Sequence, residues 1–181
     1  MTGVLYLVTC GAPLATRIGD GVRTARDYGW RPAVIPTDAA RAWIDERTLP
    51  DDVPVVTGHR RPGEAKRLPA PDALAVVPAT FNTLTGWANG RADSYPLATL
   101  CSALGARRPI VAVPFAKHDL AGHPAWAASL AVLRYAGVRL LDPTTGAVDA
   151  VNPITSGTGD QVAAAFRWEW VFAHLPMPSP D

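Results

Sequence analysis

The most distinctive polar side chains follow a buried apolar run. Residues 73–77 (ALAVV) form an unbroken apolar stretch that predicts a strand, and residues 78–83 (PATFNT) follow it directly. A helix pattern begins within this turn, so its hydroxyl and amide groups would join the free N–H groups of a helix N-terminus. Such donors at the carboxyl end of a strand bind anions. The turn predicts an anion site, and a plain helix cap by Thr80 or Asn82 is the alternative.

Two further loops carry side chains that could bind or protonate a substrate. Lys117 and His118 follow the apolar run at residues 109–113, and Lys117 is one of two lysines in the chain. A compact ammonium can hold a carboxylate, and a neighbouring imidazole can move a proton near neutral pH. His59 lies in a basic loop and offers the same chemistry. The candidate catalytic residues are Lys117, His118 and His59, and the alternative is that the histidines are solvated loop residues.

The elements that must position these groups are alternating strands and helices. The predicted strands are residues 4–8, 33–35, 53–56, 73–77, 109–113 and 138–141. The predicted helices are residues 14–28, 39–45 (with Asp38 as the cap), 83–89, 94–104, 124–135 and 160–171. This alternation predicts one α/β domain, a three-layer Rossmann-like (flavodoxin-like) parallel sheet flanked by helices, over residues 1–175. Residues 176–181 are predicted to form a flexible tail.

In such folds ligands bind at the carboxyl ends of the strands. The loops expected there are residues 10–13, 36–38, 78–83 and 114–123. The chain has no G-x-G-x-x-G sequence, which argues against a dinucleotide site. Cys10 lies at the first of these turns, where a buried cysteine usually behaves as a small inert hydrophobic residue.

Composition limits the classes of partner. The chain has 181 residues and a net charge of +1, with 48% apolar and 18% charged residues, so one globular domain is expected without broad attraction to nucleic acid or membranes. No apolar run approaches the ~20 residues of a membrane span, and the start lacks the basic segment of a signal peptide. Cys10 and Cys101 do not suggest a disulfide framework or a metal site. A cytoplasmic protein is predicted.

The turns, taken in order, resemble one known family. PATFNT resembles the P-A-S-A-N-T motif of the homo-oligomeric flavin-containing cysteine decarboxylases, which include phosphopantothenoylcysteine decarboxylase and the lantibiotic peptidyl-cysteine decarboxylases. Residues 90–93 (GRAD) match the G-x-A-D that follows this motif, and residues 8–13 fall at the first flavin-binding turn. Residues 113–117 (VPFAK), followed by residues 123–124 and 130–137, lie where the family has P-x-M-N-x-x-M and its next helix. The resemblance covers most of the chain.

The resemblance implies an FMN pocket at the carboxyl ends of the strands. Small residues in the first turn would allow close backbone approach, and hydroxyl and amide donors would hold a phosphate dianion without lysine. The residues expected to bind the cofactor are Gly11, Ala12, Pro13, Thr37, Ala79, Thr80, Phe81, Asn82, Thr83 and Phe115.

The catalytic positions of the family are changed. The family histidine before the central strand aligns with residues 64–67 (EAKR), and the family asparagine that holds the substrate carboxylate aligns with Lys117. Both methionines of P-x-M-N-x-x-M are replaced, by Ala116 and Leu120, and the substrate clamp is not recognisable in residues 152–160. Decarboxylation by the usual route is therefore expected to be slow or absent.

Three functions are consistent with these features. The first is an FMN-dependent, decarboxylase-like enzyme that acts on a carboxylate-bearing small molecule or peptide C-terminus. The second is a flavin-binding subunit without decarboxylase activity of its own, and the third, less favoured, is flavin prenyl transfer. The family implies a homotrimer or a homododecamer, and Trp87, Tyr95 and Trp126 are predicted to lie near subunit contacts because aromatic residues are enriched at interfaces.

Overall fold

A computed structural model describes residues 3–178. It contains a five-stranded parallel sheet in the order β2-β1-β3-β4-β5. The strands are β1 (Val4–Thr9), β2 (Arg31–Pro36), β3 (Ala73–Ala79), β4 (Ile110–Pro114) and β5 (Arg139–Leu140). Every residue of β1, β3 and β4 is buried, because a parallel sheet is covered by helices on both faces.

The helices connect the strands in the expected alternation. They are α1 (Ile18–Asp27), α2 (Phe81–Ala88), α3 (Tyr95–Gly105), α4 (His118–Ala121), α5 (Pro124–Tyr135), α6 (Gly159–Ala165) and α7 (Glu169–Phe172). Short 3-10 helices occupy Pro13–Arg17, Asp38–Ala40 and Glu46–Thr48. Helix α5 has the predicted bounds, with Pro124 in its first turn and Gly137 at φ +91° after its end.

Two apolar layers lie on opposite faces of the sheet. Leu5 and Leu7 of β1 pack with residues of α1, α6 and α7. Tyr6 and Val8 of the same strand pack with residues of α2, α3 and α5. The alternation follows from the two-residue repeat of a strand. The predicted three-layer, flavodoxin-like α/β fold is confirmed, and the 2-1-3-4-5 strand order is the flavodoxin order.

The predicted helix over residues 39–45 is wrong. The chain forms only the short 3-10 helix at Asp38–Ala40, followed by turns. Its cap is Thr37 and not Asp38, since Thr37 Oγ1 accepts a hydrogen bond from the N–H of Ala40 at 3.3 Å. The predicted strand at residues 53–56 is reduced to one parallel bridge between Val55 and Val34 at the outer side of β2.

The predicted helix over residues 160–171 is broken into α6 and α7 at residues 166–168. In one continuous helix over residues 160–171, Trp168 and Trp170 would lie on different faces, because they are two positions apart. Instead Trp168 is 2% exposed and lies over Gly21, and Trp170 packs over Gly146. Both rings pack against residues of the same chain, because the break between α6 and α7 removes the regular helical spacing. Of the predicted tail, Pro178 lies close to Gly3, and residues 179–181 are outside the described part of the chain.

Candidate functional site at the carboxyl edge of the sheet

The strand order creates a crevice between β1 and β3. The chain leaves β1 toward β2 on one side and leaves β3 toward β4 on the other, so the connections diverge there. Ligands of doubly wound folds bind at this switch point. The two turns meet directly: the N–H of Cys10 donates to the carbonyl of Pro78 at 3.2 Å, and Cys10 Sγ donates to Thr83 Oγ1 at 3.2 Å.

The first turn of α2 faces this crevice with available donors. The helix starts at Phe81, two residues before the predicted start, and Thr80 is its N-cap residue. The Thr80 side chain makes no capping hydrogen bond; its hydroxyl lies 3.5 Å from Thr83 Oγ1. The cap alternative is therefore not realised by the Thr80 side chain, and the first N–H groups of α2 are left for another acceptor. Free N–H groups beside hydroxyls form a set of donors that fits a phosphate.

The turn after β1 is held close to the turn after β2. The N–H of Thr37 donates to the carbonyl of Thr9 at 2.9 Å. A Cβ added to Gly11 would lie 2.7 Å from the carbonyl oxygen of Ala39, so only glycine allows this approach. These two contacts hold the turn that contains Thr37 beside the turn that contains Gly11.

Pro13, Phe115 and the start of α6 pack together. A Cβ added to Gly159 would lie 3.0 Å from Pro13 Cγ and 3.8 Å from Phe115 Cε1. Phe115 is 6% exposed, and its N–H donates to the carbonyl of Ala79 at 2.9 Å. Sequence reasoning did not include Gly159 in the site. The feature of the sequence that could have indicated it is the segment of small and polar residues at 155–160 (TSGTGD).

Two buried side chains at the end of β1 complete the crevice. Burial raises the pKa of the Cys10 thiol, and hydrogen bonds with Thr83 and Thr80 oppose that rise, so the thiol stays protonated near neutral pH. Within residues 3–178, Thr9 Oγ1 is fully buried and has no hydrogen-bond partner. Sequence reasoning also missed Thr9, because a threonine at the end of an apolar strand looks like an ordinary β-former.

Comparison with known proteins now identifies the family. The profile of the Flavoprotein family matches residues 5–163. The chain belongs to the flavoprotein family. The family resemblance seen in the sequence is thereby confirmed, and the matched range includes the turns after β1, β2, β3 and β4.

Similar proteins agree with this assignment. The flavoprotein is 32% identical over 150 residues to the bifunctional coenzyme A biosynthesis protein CoaBC of Mycobacterium tuberculosis, with 76% of this chain and 33% of that protein covered. The chain therefore spans a third of that relative's length. The structure of the FMN binding protein AtHal3 has a TM-score of 0.70 at 18% identity, covering 91% of this chain and 94% of that one. The FMN-dependent cysteine decarboxylase TvaF from thioviridamide biosynthesis has a TM-score of 0.67 at 20% identity, covering 90% and 98%.

Neither a membrane-spanning helix nor a metal-holding cluster occurs in the part of the chain that the structure describes. None of the helices within residues 3–178 has the length and apolar character that crossing a membrane requires. The same part of the chain contains no group of three or more His, Cys, Asp or Glu side chains placed to hold a metal ion.

The proposed substrate side of the flavoprotein lies after β4. Lys117 and His118 are exposed and adjacent, with Lys117 at the N-cap position of α4. The N–H of Ile154 donates to the carbonyl of Ala116 at 2.8 Å, which brings the segment before α6 alongside this loop. Lys117 and His118 therefore stand at the predicted edge, and their catalytic roles remain predictions.

His59 lies in a different environment from Lys117 and His118. Its ring contacts Tyr95 edge to face, with ring centroids 5.3 Å apart, at the start of α3. It lines a cavity whose walls include neither Lys117 nor His118. Within one chain, two of the three candidate catalytic residues therefore lie together. His59 lines a different cavity and does not share a site with them.

The aromatic ring of Phe81 connects α2 with α5. Phe81 stacks on Trp126 with centroids 6.2 Å apart and meets His123 edge to face at 5.9 Å. Trp126 is 5% exposed and Trp87 is 1% exposed, so neither is available at the surface for a subunit contact. Both rings pack in the layer between α2, α3 and α5, and the expectation that Trp87, Tyr95 and Trp126 lie near subunit contacts stays a prediction.

Proposed function

We propose that this flavoprotein binds FMN in the crevice between β1 and β3 and is a decarboxylase-like enzyme for a carboxylate-bearing small molecule or peptide C-terminus. The observation that carries the proposal is the uncapped first turn of α2, joined to the β1 turn by Cys10 and Thr83. Named relatives support it, since AtHal3 is described as an FMN binding protein and TvaF as an FMN-dependent cysteine decarboxylase.

The residues present fit FMN better than a dinucleotide. The N–H groups of α2, with the hydroxyls of Thr80 and Thr83 and the amide of Asn82, would hold the phosphate. Thr37, beside Gly11, would bind a further oxygen. The chain lacks the G-x-G-x-x-G turn that accommodates a pyrophosphate.

The ring would lie against residues of the neighbouring turns. Pro13 and Phe115 offer apolar surface where the start of α6 closes over them. Bound FMN would supply the ability to accept an electron pair from the substrate. The protein would contribute orientation and exclusion of water, since Phe115, Ala79 and Cys10 form a buried floor.

Lys117 is proposed to bind the substrate carboxylate. Its ammonium is exposed after β4, next to the segment that leads into α6. A point charge there can replace the amide that the family uses. His118, the next residue, would accept or return a proton close to that carboxylate.

A specific observation favours the alternative, a flavin-binding subunit without decarboxylase activity. Glu64 lies in the segment that aligns with the family histidine. Its Oε2 accepts hydrogen bonds from the Arg61 N–H and the Arg67 guanidinium, both at 3.0 Å. A carboxylate engaged in this way within its own loop cannot replace a histidine as a proton carrier.

The two functions are separated by one set of measurements on the purified, flavin-saturated protein. Absorption bands in the near ultraviolet and blue test for bound flavin, and mass spectrometry tests for loss of carbon dioxide from carboxylate-bearing compounds. The enzyme proposal expects turnover that is lost in Lys117→Ala, retained in part in Lys117→Arg, with flavin content unchanged in both variants. Bound flavin with no carboxylate bound or consumed would establish the alternative, and a colourless protein that does not take up FMN would exclude both.

We further propose a homo-oligomer, a trimer or a dodecamer of trimers as the family resemblance implies. The outer face of α5 supports association of copies, because its exposed residues are apolar: Ala127, Ala128, Ala131, Val132 and Tyr135. Tyr135 is 96% exposed and Val132 is 47% exposed. An apolar helix face of this kind favours burial against a second protein surface.

A further inference from the structure

A second cavity lies on the α2–α3–α5 face of the sheet, beneath the loop of residues 57–68. Its volume is about 590 Å³, a size usual for small-molecule sites. Tyr6 of β1 and Tyr95 of α3 form its wall together with His59. None of its lining residues belongs to the turns at residues 10–13, 36–38, 78–83 or 114–123, so it is separate from the proposed flavin crevice.

The lining of this cavity is strongly cationic. Arg60, Arg61, Lys66 and Arg67 all line it, and no aspartate or glutamate does. Lys66 is one of two lysines in a chain whose net charge is +1, so the positive charge is concentrated here and is not a general property of the surface. Clustered like charges repel each other, and a bound anion relieves that repulsion.

Glu64 fixes this loop and neutralises one of the four cations that line the cavity. Its carboxylate bonds the Arg61 N–H and pairs with Arg67, and its carbonyl accepts from Arg60. The backbone N–H of Arg61, followed by the Arg67 side chain, lowers the pKa of Glu64. Among the contacts of residues 3–178, the side chains of Arg61 and Lys66 make no ion pair with a carboxylate. These two groups are therefore free to meet a ligand.

Tyr6, in the wall of the cavity, adds no negative charge near neutral pH. Burial, and to a smaller extent the nearby Tyr95, raise the pKa of Tyr6 to about 12. The Tyr6 hydroxyl donates to the carbonyl of Pro69, which anchors the end of the loop against β1. The His59 and Tyr95 rings meet edge to face and close the side of the cavity toward α3.

We propose that this cavity is a binding site for a small, multiply charged anion that carries a phosphate group. Guanidinium and ammonium groups together suit phosphate oxygens, and the concave shape suits a small molecule better than the extended backbone of a nucleic acid. The inference does not depend on the proposed flavin chemistry.

Isothermal titration calorimetry with inorganic pyrophosphate at low ionic strength tests the site on FMN-saturated protein. The variant Arg61→Gln/Lys66→Gln should weaken binding at least about tenfold, since it removes two unpaired cations. The matched control is Arg139→Gln/Arg167→Gln, which removes the same charge from exposed positions outside the cavity and should change the affinity less than about twofold.

Several results would overturn the proposal. Absence of binding at millimolar pyrophosphate would do so, as would equal weakening in the two double variants, which would indicate a general charge effect. Binding to flavin-free protein that disappears on FMN saturation would place the anion in the flavin crevice instead. Should the cavity variant fail to fold, amide shifts in NMR spectra of the unaltered protein decide: shifts confined to residues 57–68 and Tyr95 support the site, and shifts elsewhere contradict it.

Discussion

Cys10 and Thr83, 73 positions apart in sequence, are joined by a hydrogen bond from Cys10 Sγ to Thr83 Oγ1. This bond connects the end of β1 to the first turn of α2 and fixes the two turns that border the crevice. Both side chains are buried, so the bond is protected from water. It provides a fixed base for the donors of the preceding residues, half-buried Thr80 and exposed Asn82.

Asn82→Asp is expected to separate flavin binding from stability. Asn82 is exposed in the first turn of α2, where a negative charge stabilises the helix but repels a phosphate. We expect the FMN affinity to fall at least about tenfold, measured by flavin retention after gel filtration. The flavin-free protein should show no loss in thermal stability, measured by thermal unfolding. Asn89→Asp, the same change just beyond the far end of α2, should retain flavin. Full flavin content in Asn82→Asp would show that the phosphate lies elsewhere.

Gly11→Ala is expected to distort the flavin turn. The added Cβ would lie 2.7 Å from the backbone carbonyl of Ala39, which cannot move without shifting the turn after β2. The free energy of unfolding should fall by about 1–3 kcal/mol, and FMN should bind more weakly. Gly105→Ala is the matched control, since its Cβ would meet nothing within 4 Å, and it should be neutral or slightly stabilising. Urea unfolding measures both, and an unchanged Gly11→Ala would contradict the close approach.

Asp142 is a fully buried carboxylate that holds the loop leading to the substrate side. It accepts backbone hydrogen bonds from Thr144 at 2.8 Å, Thr145 at 2.9 Å and Asn152 at 2.9 Å. Burial alone raises the pKa of Asp142, but the hydrogen bonds from Asn152, Thr144 and Thr145 together outweigh it, so that the pKa is lowered. A charge stabilised in the folded state makes stability depend on pH.

The sign of that dependence is definite. Because the folded pKa lies below the unfolded value of about 3.9, the contribution of Asp142 is complete above that value and is lost as pH falls through the folded pKa. Asp142→Asn should cost about 2 kcal/mol at pH 7, and its difference from the unaltered protein should shrink below about pH 4. Asp27→Asn, at an exposed position, is the matched control and should change the free energy of unfolding by less than about 0.5 kcal/mol at pH 7. Denaturant unfolding at a series of pH values measures it, and a constant difference down to the acid limit would show that the charge is not responsible.

The α5 face is expected to hold the oligomer together. Val132→Glu/Tyr135→Glu would place two charges on the exposed apolar face, where desolvation would oppose association. Light scattering should show the mass falling from a multiple of 19.2 kDa to that of one chain, with the helix content unchanged. Val148→Glu, also at an exposed apolar position, should remain assembled. An unaltered protein that is monomeric with bound flavin would contradict the oligomer itself.

The sequence by itself determined most of the strands and helices, and the order in which the turns with functional side chains follow them. The local signals are the unbroken apolar runs of strand length, Pro124 and Gly137 around α5, and the PATFNT turn before α2. They are local because they depend on backbone preferences within a few residues. The family also followed from motifs that stand in order. These local signals were sufficient for the fold, since a strand-helix alternation leaves few parallel arrangements.

Only the tertiary structure decided which distant residues meet. Three contacts depend on the packing of turns that follow different elements: Cys10 with Thr83, Gly11 with Ala39, and Gly159 with Pro13. Packing also overrode local preference where residues 39–45 failed to form a helix and where Trp168 turned into the core over Gly21. Packing also placed His59 against Tyr95 of α3, whereas Lys117 lies at the start of α4 after β4. The periodicity of a sequence does not predict such contacts, because it indicates on which face of a helix or strand a residue lies and not which residue it contacts there.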